Sequence, residues 1–192
     1  MRTAEKRRTT KESDIYIKLD LDNHEETKIS TGIGFFDHML ELFAFHAGIS
    51  LQIEAKGDLH VCDHHTVEDC GIVLGECIKA ALGDKKGIQR YGSFLLPMDE
   101  TLAQVVLDLS NRAYLVYQVD VKRDTIGTFS CEMVSEFFRA IVNQAGITLH
   151  INVLYGENDH HKLEAVFKGF GRALREAIRI TSDDLPSTKG ML

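Results

Sequence analysis

His64-His65-Thr66-Val67-Glu68 returns as His160-His161-Lys162-Leu163-Glu164, 96 positions further on. The chain has nine histidines, and four of them fall into these two identical H-H-x-x-E arrangements. Such a recurrence points to a duplicated motif and, with it, a duplicated fold. A helix that starts at or just before the pair puts Glu68 four residues after His64 and three after His65, beside both imidazoles. Neighbouring helical side chains point roughly 100° apart, so two adjacent histidines do not serve one ion while the helix stays regular. Two motifs therefore imply two metal ions, each taking ligands from both copies. Imidazole with carboxylate suits Mn, Fe, Co, Ni or Zn, and the lack of paired thiolates argues against a structural zinc site. One motif alone reads as well as a solvated helix start with Glu at the positive dipole end; its repetition favours the metal.

Working outward, residues 15–21 alternate apolar and polar as a half-buried strand does. A polar turn, Asp22 to Glu26, leads to a short strand near 27–31. After Gly32 and Gly34, Phe35, Met39, Leu42 and Phe43 recur at helical spacing over 35–47. Strand 49–55 follows, then a loop in which Asp63 is placed to cap the helix 64–82, which stops at Gly83. The second half repeats the order: strands near 101–109 and 113–120, helix 132–145, strand 147–154, a polar loop, and helix 160–179. Ala47-Gly48-Ile49 answers to Ala145-Gly146-Ile147, and in that register His38 falls opposite Glu136. The expected fold class is α+β, an internal duplication of two ββαβα halves (about 12–85 and 93–180), each a small mixed sheet covered by two helices. Each half exposes an apolar face unless the other covers it, so residues 1–192 read as one pseudo-symmetric unit ending in a tail, 183–192.

The remaining composition bounds the function. No apolar run is long enough to span a membrane, and a net charge of −7 argues against nucleic acid, which wants a basic face. Cys62, Cys70, Cys77 and Cys131 show no C-x-x-C spacing and read as reduced thiols of a cytoplasmic protein. The polar segment 1–12 shows no signal peptide.

His38 and Glu136, each on the first helix of its half, are the natural supplements to the H-H-x-x-E ligands; singly, they also read as an ordinary helical histidine and a solvated carboxylate. Three ligands per metal leave positions open, as catalysis needs. Several cations are placed for an anion: Lys168 lies on the ligand face of the second metal helix, and Arg90 and Arg112 lie in turns. Pro186-Ser187-Thr188-Lys189-Gly190 gathers hydroxyls, a lysine and backbone amides suited to phosphate. Each alone is an ordinary surface charge; together they suggest a phosphorylated metabolite.

The stretches Thr31 to Leu40, Gly57-Asp58 through Asp63 to Asp69, Pro97-Met98-Asp99-Glu100, His160 to Ala165 and Pro186 to Gly190 strongly resemble imidazoleglycerol-phosphate dehydratase of histidine biosynthesis, in order and at matching intervals. The resemblance runs from about Glu12 to Gly190 and, with no N-terminal phosphatase region in view, is to the monofunctional form. It implies a ribosomal protein S5 domain 2-like fold and the loss of water from imidazole glycerol phosphate to give imidazole acetol phosphate, using two Mn2+ per active site. The substrate's own imidazole serves as the electron sink, because the carbon that loses its proton has no adjacent carbonyl. It further implies that His38, His64, His65, Glu68, His160, His161 and Glu164 bind the metals, with Glu136 at a position that is His in some relatives. Glu12 is the acid-base carboxylate, working beside His65 and His161. Arg90, Arg112, Lys168, Ser187 and Lys189, with Thr188, hold the phosphate, while His46 and Asp99 line the substrate pocket. Departures are Cys62, where an acidic residue is common, and Asn111 and Ala113, where Gly and Pro are more typical around the arginine. The family also implies trimers that assemble into a particle of twenty-four subunits, with active sites between subunits. Two other readings use the same residues: a two-metal phosphate-ester hydrolase, which would release phosphate, and a non-catalytic metal-binding assembly, which has no use for Glu12, Lys168 or the tail.

Overall fold

The computed structural model describes residues 1–25 and 27–192; Glu26, the end of the expected polar turn, lies outside them. The first half contains β1 (Thr3–Thr9), β2 (Ser13–Asp20), β3 (Thr27–Ser30), α1 (Gly34–Ala47), β4 (Ser50–Gly57) and α2 (His64–Leu82). The second contains β5 (Tyr91–Met98), β6 (Thr101–Asp108), β7 (Tyr114–Gln118), a small hairpin of β8 (Thr125–Ile126) and β9 (Phe129–Ser130), α3 (Met133–Ala145), β10 (Thr148–Tyr155) and α4 (Asp159–Ala177). Each half forms a four-stranded mixed sheet, in the orders β1-β2-β4-β3 and β5-β6-β10-β7. The α+β duplication holds, but each half opens with one strand more than the ββαβα order contains. β1 escapes the alternation rule because it is an edge strand exposed along nearly its whole length. It is held by its antiparallel ladder to β2 and by ion pairs such as Arg2 to Asp22 at 2.7 Å. β5 carries Gly92 and Pro97, which break up its pattern in sequence.

Within the sheets, inward and outward residues alternate as a pleat requires: Ile15, Ile17 and Leu19 of β2 and Leu51 and Ile53 of β4 are buried. α1 and α2 lie on the first sheet, α3 and α4 on the second, and the helix layers meet through α2 against α3 and α1 against α4. Gly75 and its counterpart Gly171 make these contacts close. A Cβ at Gly75 would lie 2.8 Å from Ile141 O, and one at Gly171 would lie 2.7 Å from Phe43 O. The matched Gly48 and Gly146 end α1 and α3 at φ 69° and 66°, the left-handed cap that glycine adopts without strain.

Helix direction then places the site. Glu164 approaches His38 while Gly171, two turns on, meets Phe43 and Ala47, so α4 runs alongside α1 in the same sense. Gly71 meets Phe137 and Ala140, and Gly75 meets Ile141 and Gln144, so α2 and α3 do likewise. Phe36 packs edge-on to Phe137 at 5.1 Å, which brings the starts of the two helix pairs together. The histidines at the helix starts thus share one end of the molecule. No helix among the described residues is long and apolar enough to cross a membrane.

Candidate metal and substrate site

α4 starts at a true cap: Asn158 accepts hydrogen bonds from the backbone N–H groups of His160 and His161, fixing the direction in which both imidazoles leave the helix. Asp63, expected to cap α2, does not. Its carboxylate instead accepts from Ser130 N at 2.6 Å and Ser130 Oγ at 2.8 Å, tying the start of α2 to the hairpin of the other half.

The two histidines of each pair separate. On α4, His160 Nε2 is 2.9 Å from Glu164 on the next turn, and His38 Nε2 reaches the same carboxylate at 3.7 Å. Ligand atoms of His38, His160 and Glu164 all lie within 4.8 Å of one another. His161 turns away to Glu100, its Nδ1 2.8 Å from that carboxylate, with Asp99 3.9 Å from Nε2. α2 repeats the division: His64 faces Glu68 at 3.3 Å, whereas His65 Nδ1 lies 3.1 Å from Asp58. A carboxylate can only accept, so Nδ1 of His65 and of His161 carries the proton and each Nε2 is the nitrogen left to bind an ion. Glu136 does not join His64 and Glu68 in this chain; it pairs with Arg139 at 3.1 Å.

Charge follows from these contacts. Asp58 raises the His65 imidazole above its ordinary value, and Glu100 does the same for His161. Glu100 is itself held well below the usual carboxylate range by the backbone N–H of Asn158 and then by His161. Burial alone would push Glu164 up, but Lys168 and His160 outweigh it and keep the carboxylate charged. Burial lowers the His46 imidazole, and Lys168 and Arg172 lower it further.

Glu12 sits on the tight turn between β1 and β2, where its N–H donates to Thr10 Oγ1 at 3.0 Å and its carbonyl accepts from Asp58 N at 3.0 Å. That turn holds its carboxylate 3.8 Å from His65 Nε2. The expected phosphate residues divide. Lys168 stands with Glu164, while Arg90 and Arg112 converge on Asp108, at 2.7 Å and 3.4 Å. Arg90 also donates to Pro186 O at 2.9 Å, fastening the tail. In that tail Ser187 Oγ donates to Met191 O at 2.7 Å, and Lys189 N donates to Ser187 Oγ at 3.3 Å; Thr188 belongs to the same segment. No hydrogen bond or ion pair among the described residues joins Lys168 to this arginine group. Sequence reasoning passed over Asp58, Glu100 and Asp108 as functional groups, because no spacing rule links a carboxylate at a strand end to a ring or guanidinium on another element.

Residues 31–174 match the family model of imidazoleglycerol-phosphate dehydratase. An imidazoleglycerol-phosphate dehydratase from Caldicellulosiruptor saccharolyticus is 53% identical over 191 residues, covering 100% of this chain and 98% of the relative. Among solved structures, the dehydratase of Staphylococcus aureus superposes with a TM-score of 0.85 at 46% identity, covering 93% of this chain and 99% of the other. That of Pyrococcus furiosus superposes with 0.86 at 40% identity, covering 97% and 100%.

Proposed function

Because the chain belongs to the imidazoleglycerol-phosphate dehydratase family and is a lyase of histidine biosynthesis, we propose that it dehydrates imidazole glycerol phosphate at a two-manganese site built on the two histidine pairs. The observation that carries this reading is the division of each pair. The first histidine turns to the glutamate of its own helix, and the second is oriented from Nδ1 by a carboxylate at a strand end. One ion would rest on His38, His160 and Glu164, whose spacing already suits a cation. The other would rest on His64 and Glu68, with Glu136 as the counterpart of His38. His65 and His161 would complete the two sets, each through its free Nε2. Manganese bound there supplies Lewis acidity toward the imidazole and the departing hydroxyl.

The chain's own groups perform the rest. Glu12 Oε2, on a hydrogen-bonded turn and open to solvent, takes the proton from the substrate carbon. The helix starts direct their positive ends toward the anion that develops. Arg112 and Lys168, with Ser187, Thr188 and Lys189 of the tail, hold the phosphate, while Arg90, its fork filled by Asp108, fixes the tail beneath it. His46 and Asp99 line the substrate's path. The separation of the two histidines in each pair, and exposed apolar side chains such as Phe45, Val61 and Tyr114, support association into trimers and a particle of twenty-four subunits with sites completed between chains. The same reading places the protein in the cytoplasm.

The test is turnover of imidazole glycerol phosphate by the manganese-loaded protein, followed as the ketone product, read as its enolate in alkali, and as inorganic phosphate. Ketone without phosphate release is expected; phosphate release without ketone would make the protein a hydrolase. Glu12→Gln should lower kcat by a factor of about a hundred or more with manganese content unchanged, and loss of the metal would remove Glu12 from the acid-base role.

A further inference from the structure

Lys85, between α2 and β5, is 2% exposed, and no carboxylate among the described residues pairs with it. A buried ammonium must spend its donors on something, and Nζ gives them to Leu109 O at 3.0 Å and Asn111 Oδ1 at 2.7 Å. Both acceptors belong to the turn that leads from β6 to Arg112. Asn111 has φ 60°, a left-handed conformation that costs most side chains energy. Its backbone is also pressed against the cap of α3: a Cβ at Gly146 would lie 2.9 Å from Asn111 Cα. Beyond the turn, the Arg112 backbone is anchored by Thr148 Oγ1, which donates to its carbonyl at 2.9 Å, and by Ser110 Oγ, which accepts from its N–H at 3.3 Å. Its side chain is 65% exposed and makes one long contact, to Asp108 at 3.4 Å, which leaves most of the guanidinium open to a ligand.

We infer that Lys85 is a positioning residue: its ammonium ties Asn111 into the left-handed turn and thereby sets where Arg112 presents its guanidinium to the substrate's phosphate. The inference rests on the phosphate role of Arg112 proposed above. Lys85 itself touches no substrate. It acts through the turn alone, from Asn111 Oδ1 and Leu109 O. Burial pushes its amine down to about 8, with Lys79 and Arg90 adding to the shift and Asp108 opposing it, which is the cost of holding a cation where no anion answers it.

The test uses the full-length, manganese-loaded protein and steady-state kinetics on imidazole glycerol phosphate. Arg112→Ala comes first and should raise KM; if it does not, the phosphate role of Arg112 fails and the tether falls with it. If it does, Lys85→Met should raise KM by about tenfold with kcat within about twofold, a division that mere loss of folded protein would not produce. Asn111→Gly allows the left-handed turn but removes the side chain whose Oδ1 accepts from Lys85, and should raise KM about threefold. Adding Lys85→Met to Asn111→Gly should then cost clearly less than the tenfold it costs alone, since the two share one contact. A KM within twofold of the parent in folded Lys85→Met, or single effects that multiply independently, overturns the tether while leaving Arg112 in place. If Lys85→Met does not fold, Asn111→Gly decides, and an unchanged KM overturns the inference.

Discussion

Lys85 shows how much a single residue can hide. In sequence it is one lysine in a Gly83-Asp84-Lys85-Lys86-Gly87 run, indistinguishable from its exposed neighbour, and only the folded packing makes it a buried tether. Its titration gives the tether a thermodynamic signature. The native amine loses its proton near 8, whereas in the unfolded chain it keeps it to about 10.4. Below pH 8 both states are charged and the whole desolvation cost weighs on the native state. Between those values the unfolded chain binds more protons, so stability rises with pH. The stability of the parent relative to Lys85→Met should therefore grow on the order of 2 kcal/mol from pH 8 to pH 10.5, measured by urea denaturation. Parallel curves for the two proteins would mean that the amine is not charged and buried at neutral pH.

At the scale of elements, legibility follows how local each signal is. The H-H-x-x-E pairs and the helices they start are set by residues within one turn, and sequence spacing exposes them. β1 was not legible, because an exposed edge strand of threonines and charges needs no apolar period; its stability comes from the ladder to β2. The capping role assigned to Asp63 failed because its carboxylate is claimed by Ser130, 67 positions away. The orienting carboxylates were out of reach for the same reason: Asp58 belongs to the loop after β4, and Glu100 to the turn between β5 and β6. Their contribution is separable from that of the ligands. Asp58→Ala leaves every proposed ligand in place but removes the acceptor that fixes the His65 ring, and it should weaken manganese binding by about 10- to 100-fold. Isothermal titration of the metal-free protein reads this directly, and an unchanged affinity would show that His65 needs no such support.

For the whole molecule, duplication is what brings the chemistry together. Two similar halves, each a sheet under two helices, can bury their apolar faces only against each other, and the close helix contacts at Gly75 and Gly171 hold them in parallel pairs. That packing sends the helix starts, and with them both histidine pairs, to one end. The arginines and the tail gather separately around Asp108, so a single chain holds the parts of the site in distinct groups. Sequence revealed that there were two copies; it could not reveal which histidine of each pair faced which partner, since that depends on carboxylates supplied from elsewhere in the fold. The most direct measurement is the anomalous difference map of manganese-loaded crystals at the manganese absorption edge. Two ions per site are expected, with His160 and His161 on different ions and His64 and His65 likewise divided. A single ion, or both histidines of one pair on the same ion, would contradict the account.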